Sequence, residues 1–234
     1  MSVRSASRLS VEYRRRVWLA LLAALCGGTA GAQQRHDVDA VTVAGRGPET
    51  YVLLSGLVGG VAGFRRLERV LLAQGHRVIV VDPYHLSLDS ADVSFAALAR
   101  RVDAVLAAYD VASARLVGHA HGGGVALRLA VRAPHRVAAL YLLDVGALAV
   151  NHTRVLGGAL RLVPVVARIP GGRAFLRERY VRGIRQSSAR LEWLDAATQR
   201  DYTEPVLNDI GRVIALAFRI SRSREPEALP TLVA

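Results

Sequence analysis

Two histidines flank an alanine in the stretch Gly118-His119-Ala120-His121-Gly122, which follows an apolar run and precedes the helix-favouring segment VALRLAVRA. An imidazole can serve as a base or as a nucleophile near neutral pH. The glycine spacing is that of G-x-S-x-G, a sharp strand-to-helix turn that exposes a nucleophilic serine. Ala120 stands where that serine would be. Because a methyl group has neither a lone pair nor an ionisable proton, we expect residue 120 to form no acyl-enzyme.

The two histidines themselves have two interpretations. Side chains that flank the central residue of such a turn normally point away from it, so we interpret His119 and His121 as side chains that are packed or that contact the helical segment after residue 150. Direct catalysis by either imidazole is the alternative. They are two positions apart, whereas a metal-binding pair on one helical face is four apart, so we predict no metal site. The glycines at 122–124 depart from G-x-G-x-x-G, and we predict no dinucleotide cofactor.

Apolar and amphipathic segments alternate around this motif. We predict strands over 37–45, 51–56, 76–82, 114–120 and 137–146, and helices over 64–76, 92–109 and 121–133. Strands that are apolar on both faces and separated by helices are typical of a parallel sheet covered on both sides. The first strand alternates instead, like a half-exposed edge strand. The helical faces expected to pack on the sheet are Phe64, Leu67, Val70 and Leu71, then Phe95, Leu98, Val102, Leu106 and Tyr109.

From residue 151 to residue 228 the sequence carries helical patterns without strand-like runs between them, for example LNDIGRVIALAFRI. We therefore predict a core domain over 33–150 and a helical cap over 151–228, laid over the carboxyl edge of the sheet. Residues 229–234 are predicted to begin a further core strand or to lead into one. The arginines of the cap are expected to form a solvated face. A positively charged mouth that attracts anionic ligands is the alternative.

The first 32 residues have the pattern of a signal peptide. Three arginines at 14–16 precede an apolar run of about a dozen residues, and a small-x-small site follows at 30–32. This run is shorter than the ~20 residues that cross a bilayer, so we expect cleavage and export to the periplasm or the exterior. An uncleaved membrane anchor is the alternative. Cys26, the only cysteine, lies in this segment, so the mature chain can form no disulfide.

The composition indicates a folded domain with a substantial core. Of 234 residues, 52% are hydrophobic, which argues against disorder. The net charge is +12, and all 31 basic residues are arginine. These arginines are scattered and do not alternate with aromatic residues, so we predict no nucleic-acid binding. Without lysine, a phosphate-binding loop of the form G-x-x-x-x-G-K-[ST] is impossible.

The order of these landmarks resembles the α/β-hydrolase family in its single-domain type with a cap. The resemblance runs over residues 37–150: an edge strand with G-x-G-P, a strand ending in a glycine turn, a strand ending in Asp, the turn at 118–122 and a strand ending in LLD. It implies an α/β fold with a mostly parallel sheet and helices on both faces. It also implies hydrolysis of ester or similar bonds without a cofactor.

The resemblance supplies expectations for the other groups of the site. By analogy, the backbone amides of His121 and Leu57 would stabilise an oxyanion. Relatives usually have His-Gly where this chain has Ser55 and Gly56. That departure should matter little, because the oxyanion donor there is a backbone amide. Ser55 and Gly56 are expected to contact the ligand.

The same resemblance implies an incomplete triad. The family's acid and histidine are expected beyond the cap, each after a further strand, and the sequence given stops at EALPTLVA. Asp144, at the end of LYLLDVG, is in the position that some relatives use for the acid. Its alternative role is a carboxylate that caps the following segment. His152, soon after it, is not favoured as a base.

Three functional hypotheses follow. The first is an α/β-hydrolase-family protein with little or no esterase activity that binds a small apolar or anionic ligand under the cap. The second is an active enzyme of the same fold that uses acid–base chemistry without a covalent intermediate. The third is a truncated or altered serine esterase in which Ala120 replaces a serine. We expect a small-molecule partner, and membrane contact only through an uncleaved N-terminal segment; the oligomeric state is left open.

Overall fold

The computed structural model describes residues 40–57, 60–85, 92–145 and 158–223. All of them belong to one compact unit, Gln34–Ala234. The predicted signal peptide 1–32, the segment 229–234 and His152 lie outside the described residues. The predictions made for them remain predictions, as do the proposed boundaries between core and cap.

The described residues form five strands in one mixed sheet, with the order β1-β3-β2-β4-β5. The strands are β1 (Val41–Ala44), β2 (Thr50–Leu54), β3 (Arg77–Val81), β4 (Ala114–His119) and β5 (Val137–Leu143). Three neighbouring pairs are parallel, and β1 runs antiparallel to β3 at one edge. The mostly parallel sheet with an N-terminal edge strand is therefore confirmed.

Helices cover both faces of this sheet, as predicted. The core helices are α1 (Arg65–Ala73), α2 (Phe95–Ala108) and α3 (His121–Arg132), and 3-10 turns span Gly60–Phe64 and Pro134–Arg136. Successive residues of a strand point to opposite faces. Accordingly, Leu54 packs with Val102 of α2 and Leu129 of α3, whereas Leu53 packs with Leu71 of α1 on the other face.

Two details of the predicted packing are wrong. Val70 was expected on the buried face of α1, yet its side chain is 49% exposed. One residue corresponds to 100° of helical rotation, so the flat sheet buries Leu71 while Val70 turns toward solvent. β5 was expected to be apolar and covered on both faces, but its residues 141–143 are exposed. Within the described sheet β5 has a neighbour on one side only, which leaves its far end open.

Residues 158–223 contain helices and turns and no strand in the described part of the chain. They comprise the 3-10 turn Gly158–Leu162, α4 (Val163–Val166), α5 (Gly172–Ser187), α6 (Ala196–Asn208) and α7 (Ile210–Arg222). The Tyr202 hydroxyl donates to the carbonyl of Gly63 at 3.4 Å, Asp201 pairs with Arg65, and Leu216 is buried in the core cluster. α6 therefore packs on the loop that follows β2, at the carboxyl edge of the sheet. Among the described helices, none is long and apolar enough to span a bilayer.

Candidate active site

The turn predicted at residues 118–122 joins β4 directly to α3. Ala120 lies between them with φ 50° and ψ −121°, a conformation that is strained for any residue with a Cβ. Its amide donates to the carbonyl of Leu143 at 2.9 Å, and its carbonyl accepts from the amide of Gly123 at 3.1 Å. We call residues 118–122 the elbow. The backbone shape that would expose a nucleophile is thus present, with a methyl group at its tip.

Glycines allow the elbow to form because the surrounding backbones come very close. A Cβ added to Gly122 would lie 2.2 Å from the carbonyl oxygen of Leu54, and one added to Gly118 would lie 2.5 Å from the Cα of Gly123. Neither obstacle is a flexible side chain. A residue larger than glycine would push α3 away from β2 or β4, so the glycine pattern is a requirement of packing.

The turn after β2 lies against the elbow. A Cβ added to Gly56 would be 3.1 Å from the Cβ of Ala120 and 3.3 Å from the carbonyl oxygen of His119. The Ser55 amide donates to the carbonyl of Val81 at 3.0 Å, which ties this turn to the end of β3. The Ser55 side chain is only 1% exposed, and its hydroxyl has no partner among the described residues. The turn that carries the expected Leu57 amide thus adjoins the elbow; its role as an oxyanion donor remains a prediction.

The two histidines of the elbow have different environments. The ring of His119 is exposed and meets Phe64 edge-on, with 6.5 Å between ring centroids, so it is less enclosed than expected. The ring of His121 lies 6.3 Å from that of Tyr84 and 6.0 Å from that of Phe95. Burial lowers the pKa of the His121 imidazole, so this ring is neutral at neutral pH.

Asp144 follows β5 and is not brought to a histidine. Its backbone has φ 48°, and its side chain is exposed. The carbonyl of the preceding residue, Leu143, accepts from the Ala120 amide, so the backbone that leads into Asp144 lies close to the elbow in space. In the described part of the molecule, however, its carboxylate makes no ion pair or hydrogen bond. The acid role proposed for Asp144 therefore has no partner here and remains a prediction.

A polar group that the sequence reasoning missed lies at the carboxyl end of β3. The Asp82 carboxylate accepts from the amides of Tyr84 at 2.9 Å and His85 at 3.1 Å. The His85 Nδ1 atom lies 3.6 Å from the Asp82 Oδ2 atom and 3.1 Å from the Arg212 Nη1 atom of α7. Because His85 and Arg212 are 127 positions apart, local patterns could not pair them. The only signal for this group in the sequence was the strand that ends in Asp82 and is followed by Pro83.

The described residues offer no cluster of three or more histidine, cysteine, aspartate or glutamate side chains that could hold a metal ion. The elbow therefore presents backbone amides, two imidazoles and small side chains. These groups can bind a polar or anionic group through hydrogen bonds and can transfer protons. They cannot form a covalent adduct through residue 120.

Comparison with known proteins agrees with the topology. The family model described as alpha/beta hydrolase fold matches residues 51–164. A putative carbamate hydrolase RutD from Azorhizobium caulinodans is 38% identical over 101 residues, which cover 42% of this chain and 38% of that protein. The sn-1-specific diacylglycerol lipase ABHD11 from Mus musculus is 30% identical over 129 residues, 53% of this chain and 42% of that protein. The matches thus span about two fifths of these relatives' own length.

Solved structures share the fold at lower sequence identity. An α/β-hydrolase fold protein from Burkholderia ambifaria superposes with a TM-score of 0.57 at 21% identity, over 82% of this chain and 69% of the other. A carboxylesterase structure from the thaumarchaeon Nitrososphaera gives a TM-score of 0.58 at 16% identity, over 84% and 75%. With the sheet order and the elbow, these matches show that residues 51–164 of this chain have the α/β-hydrolase fold.

Proposed function

We propose that this protein binds a small apolar or anionic molecule beside the elbow and does not hydrolyse esters through an acyl-enzyme at residue 120. The observation that carries this proposal is Ala120 at the positive-φ tip of the elbow. Removing the nucleophile of a triad enzyme lowers turnover by about six orders of magnitude, and what remains comes from oxyanion stabilisation and binding.

The surroundings of Ala120 support ligand binding. Gly56 and Ala120 have no bulky side chains, so the surface beside the elbow is bordered by small groups. α3 begins within the elbow, at His121, and helix N-termini favour negative charge. The His121 ring, flanked by Tyr84 and Phe95, adds a neutral and largely apolar border. These features suit a small carboxylate or the neutral ester of one.

Turnover and binding are tested separately on the full chain. We expect 4-nitrophenyl acetate and butyrate to be hydrolysed without a burst, and a fluorophosphonate to leave residue 120 and its peptide unlabelled. Butyrate and benzoate should bind measurably by calorimetry. Gly56→Ala should weaken that binding, because its methyl group would press on Ala120, whereas Gly183→Ala, with nothing within 4 Å of the new carbon, should not. A burst of product, or equal binding by both variants, would contradict the proposal.

Ala120→Ser examines the altered-esterase alternative. A serine hydroxyl placed on this backbone has the trajectory that the elbow provides, but it needs a base to deprotonate it. If the variant gains ester hydrolysis and fluorophosphonate labelling, the chain is an esterase that lacks only its nucleophile. If it gains neither, the site lacks more than the hydroxyl, and binding without turnover is the better description.

Carbamate cleavage is a second candidate, favoured by the relatives named as putative carbamate hydrolases. Its chemistry needs no enzyme nucleophile: a proton added to the carbamate nitrogen lets the C–N bond break, which releases the amine and carbon dioxide. His119 is the better donor, because it is exposed beside the elbow, while burial lowers the pKa of His121 and removes its proton. Ammonia release from carbamate should then fall in His119→Gln more than in His121→Gln. Equal rates in both variants and in buffer would exclude this candidate.

A further inference from the structure

A short apolar surface stands out on the helical segment. Leu162, Val165 and Ile169 are 61%, 55% and 55% exposed. Leu162 ends the 3-10 turn, Val165 lies in α4, and Ile169 lies in the bend that follows it, so the three are neighbours along one short segment. We call these three side chains the ridge. Exposed apolar surfaces larger than isolated side chains can mark sites that meet a protein partner or a membrane.

The ridge is carried by a firmly packed segment. Behind it α4 lies against α7, and the Arg161 guanidinium stands 5.3 Å from the centroid of the Phe218 ring. The turn after α4 is closed by the amide of Ala167, which donates to the carbonyl of Val163 at 2.9 Å. A side chain at Gly172 would collide with the carbonyl of Val166. The ridge is therefore presented by defined backbone.

The stretch of sequence that carries the ridge is rich in arginine. From residue 145 to residue 177 the sequence contains five arginines and no acidic residue. Two of them, Arg173 and Arg177, pair with Glu204 of α6. Arg168, next to Ile169, is exposed and has no acidic partner in the part of the chain that the structure describes. Arg161, next to Leu162, stacks on the Phe218 ring.

This combination favours one kind of partner. Aliphatic side chains bordered by arginines match a bilayer surface, where acidic headgroups lie above hydrocarbon. A second copy of the same ridge is disfavoured, because the arginines of the two copies would face each other. We propose that the ridge docks this protein on an anionic membrane surface, with its three aliphatic side chains among the headgroups and the exposed Arg168 on a lipid phosphate.

Sedimentation with vesicles tests this docking on the full chain. The vesicles contain phosphatidylcholine alone or mixed with phosphatidylglycerol. Wild type should bind the mixed vesicles more tightly, and Leu162→Ser/Ile169→Ser should weaken that binding by at least about tenfold. The matched control is Val70→Ser/Leu191→Ser, which removes two aliphatic side chains of similar exposure, 49% and 47%, from elsewhere. The control should bind like wild type.

Two variants that each remove one arginine distinguish the contribution of the ridge to vesicle binding from that of the overall net charge. Arg168→Gln should weaken binding to mixed vesicles about fivefold, the effect of one arginine at such a surface. Arg132→Gln, which removes an exposed charge at the end of α3, should leave binding nearly unchanged. The N-terminal apolar run is common to all variants, so differences among them report the ridge and not that run.

Tryptophan substitution gives a direct readout of position. In Val165→Trp the new indole should be quenched by brominated lipid, and in Val70→Trp it should not, against the common background of Trp18 and Trp193. Quenching at residue 165 together with loss of binding in the ridge variant supports the proposal. Equal binding by all variants would mean that net charge or the N-terminal apolar run, and not the ridge, causes adsorption, and this result would overturn the proposal. Concentration-dependent dimers that the ridge variant abolishes, without vesicle binding, would overturn it in favour of self-association.

Discussion

Replacing Gly122 by alanine tests whether the elbow depends on close backbone contact. The new Cβ would lie 2.2 Å from the carbonyl oxygen of Leu54 and 2.6 Å from that of Ser55. Non-bonded heavy atoms are comfortable at roughly 3.5 Å, so α3 and the end of β2 must separate by about 1 Å. β2 is hydrogen-bonded to β3 on one side and to β4 on the other, so neither oxygen can rotate away.

The magnitude follows from that geometry. Inserting one carbon into a well-packed interior costs about 1–3 kcal/mol. Gly122→Ala should fall at the upper end, about 3 kcal/mol, because it displaces the carbonyl of Leu54 at the end of β2 and that of Ser55 directly after it. With a urea slope of about 2 kcal/mol per molar, the unfolding midpoint should drop by about 1.5 M. Circular dichroism during urea titration measures this shift.

Gly183→Ala is the matched control, since it makes the same chemical change in the interior of α5 with nothing within 4 Å of the added carbon. It should raise the free energy of unfolding by about 0.5–1 kcal/mol, the helix propensity difference between alanine and glycine. Equal midpoints for the two alanine variants would refute the claim that backbone proximity makes glycine necessary at residue 122.

Two further predictions concern α2 and the pH dependence of stability. Ser94→Ala should lower the free energy of unfolding by about 1 kcal/mol, because the Ser94 hydroxyl caps α2 by accepting from the amide of Ala97 at 3.2 Å. An unchanged midpoint of thermal unfolding would show that this cap does not stabilise the protein. Burial lowers the folded-state pKa of His121, so the unfolded chain binds the proton more tightly, and wild-type stability should fall as the pH drops below about 6.5 and level off below the folded pKa. His121→Phe should lose this part of the acid dependence, and urea titrations near pH 8 and near pH 5 that give a constant difference between the two proteins would contradict it.

The core could be predicted because its signals are local. Leu116 and Val117 point to opposite faces of β4 and are both buried, which is why an uninterrupted apolar run indicated a strand covered on both sides. The open face at the end of β5 could not be predicted in the same way. Its residues are just as apolar, and their exposure depends on how many neighbours the strand has in the described sheet.

In the candidate site, too, local features could be predicted from the sequence and contacts between distant segments could not. The elbow could be located because its glycines and Ala120 are contiguous in the sequence, and the turn appears at those residues. The approach of Gly56 to Ala120 and of His85 to Arg212 could not be derived, since each joins segments far apart along the chain. The contrast between an exposed His119 and a half-buried His121 likewise depends on Phe64, Tyr84 and Phe95, which tertiary packing brings in.

The elbow owes its shape to its neighbours. The carbonyl of Leu143 anchors the amide of Ala120, and Gly118 and Gly122 let the adjoining backbones meet, so none of these contacts uses the side chain at residue 120. The backbone around residue 120 therefore does not depend on which side chain that residue carries. Aspartate, cysteine or serine installed there would be presented by the same backbone, so a change of one codon can alter the group at the tip of the elbow without rebuilding the scaffold.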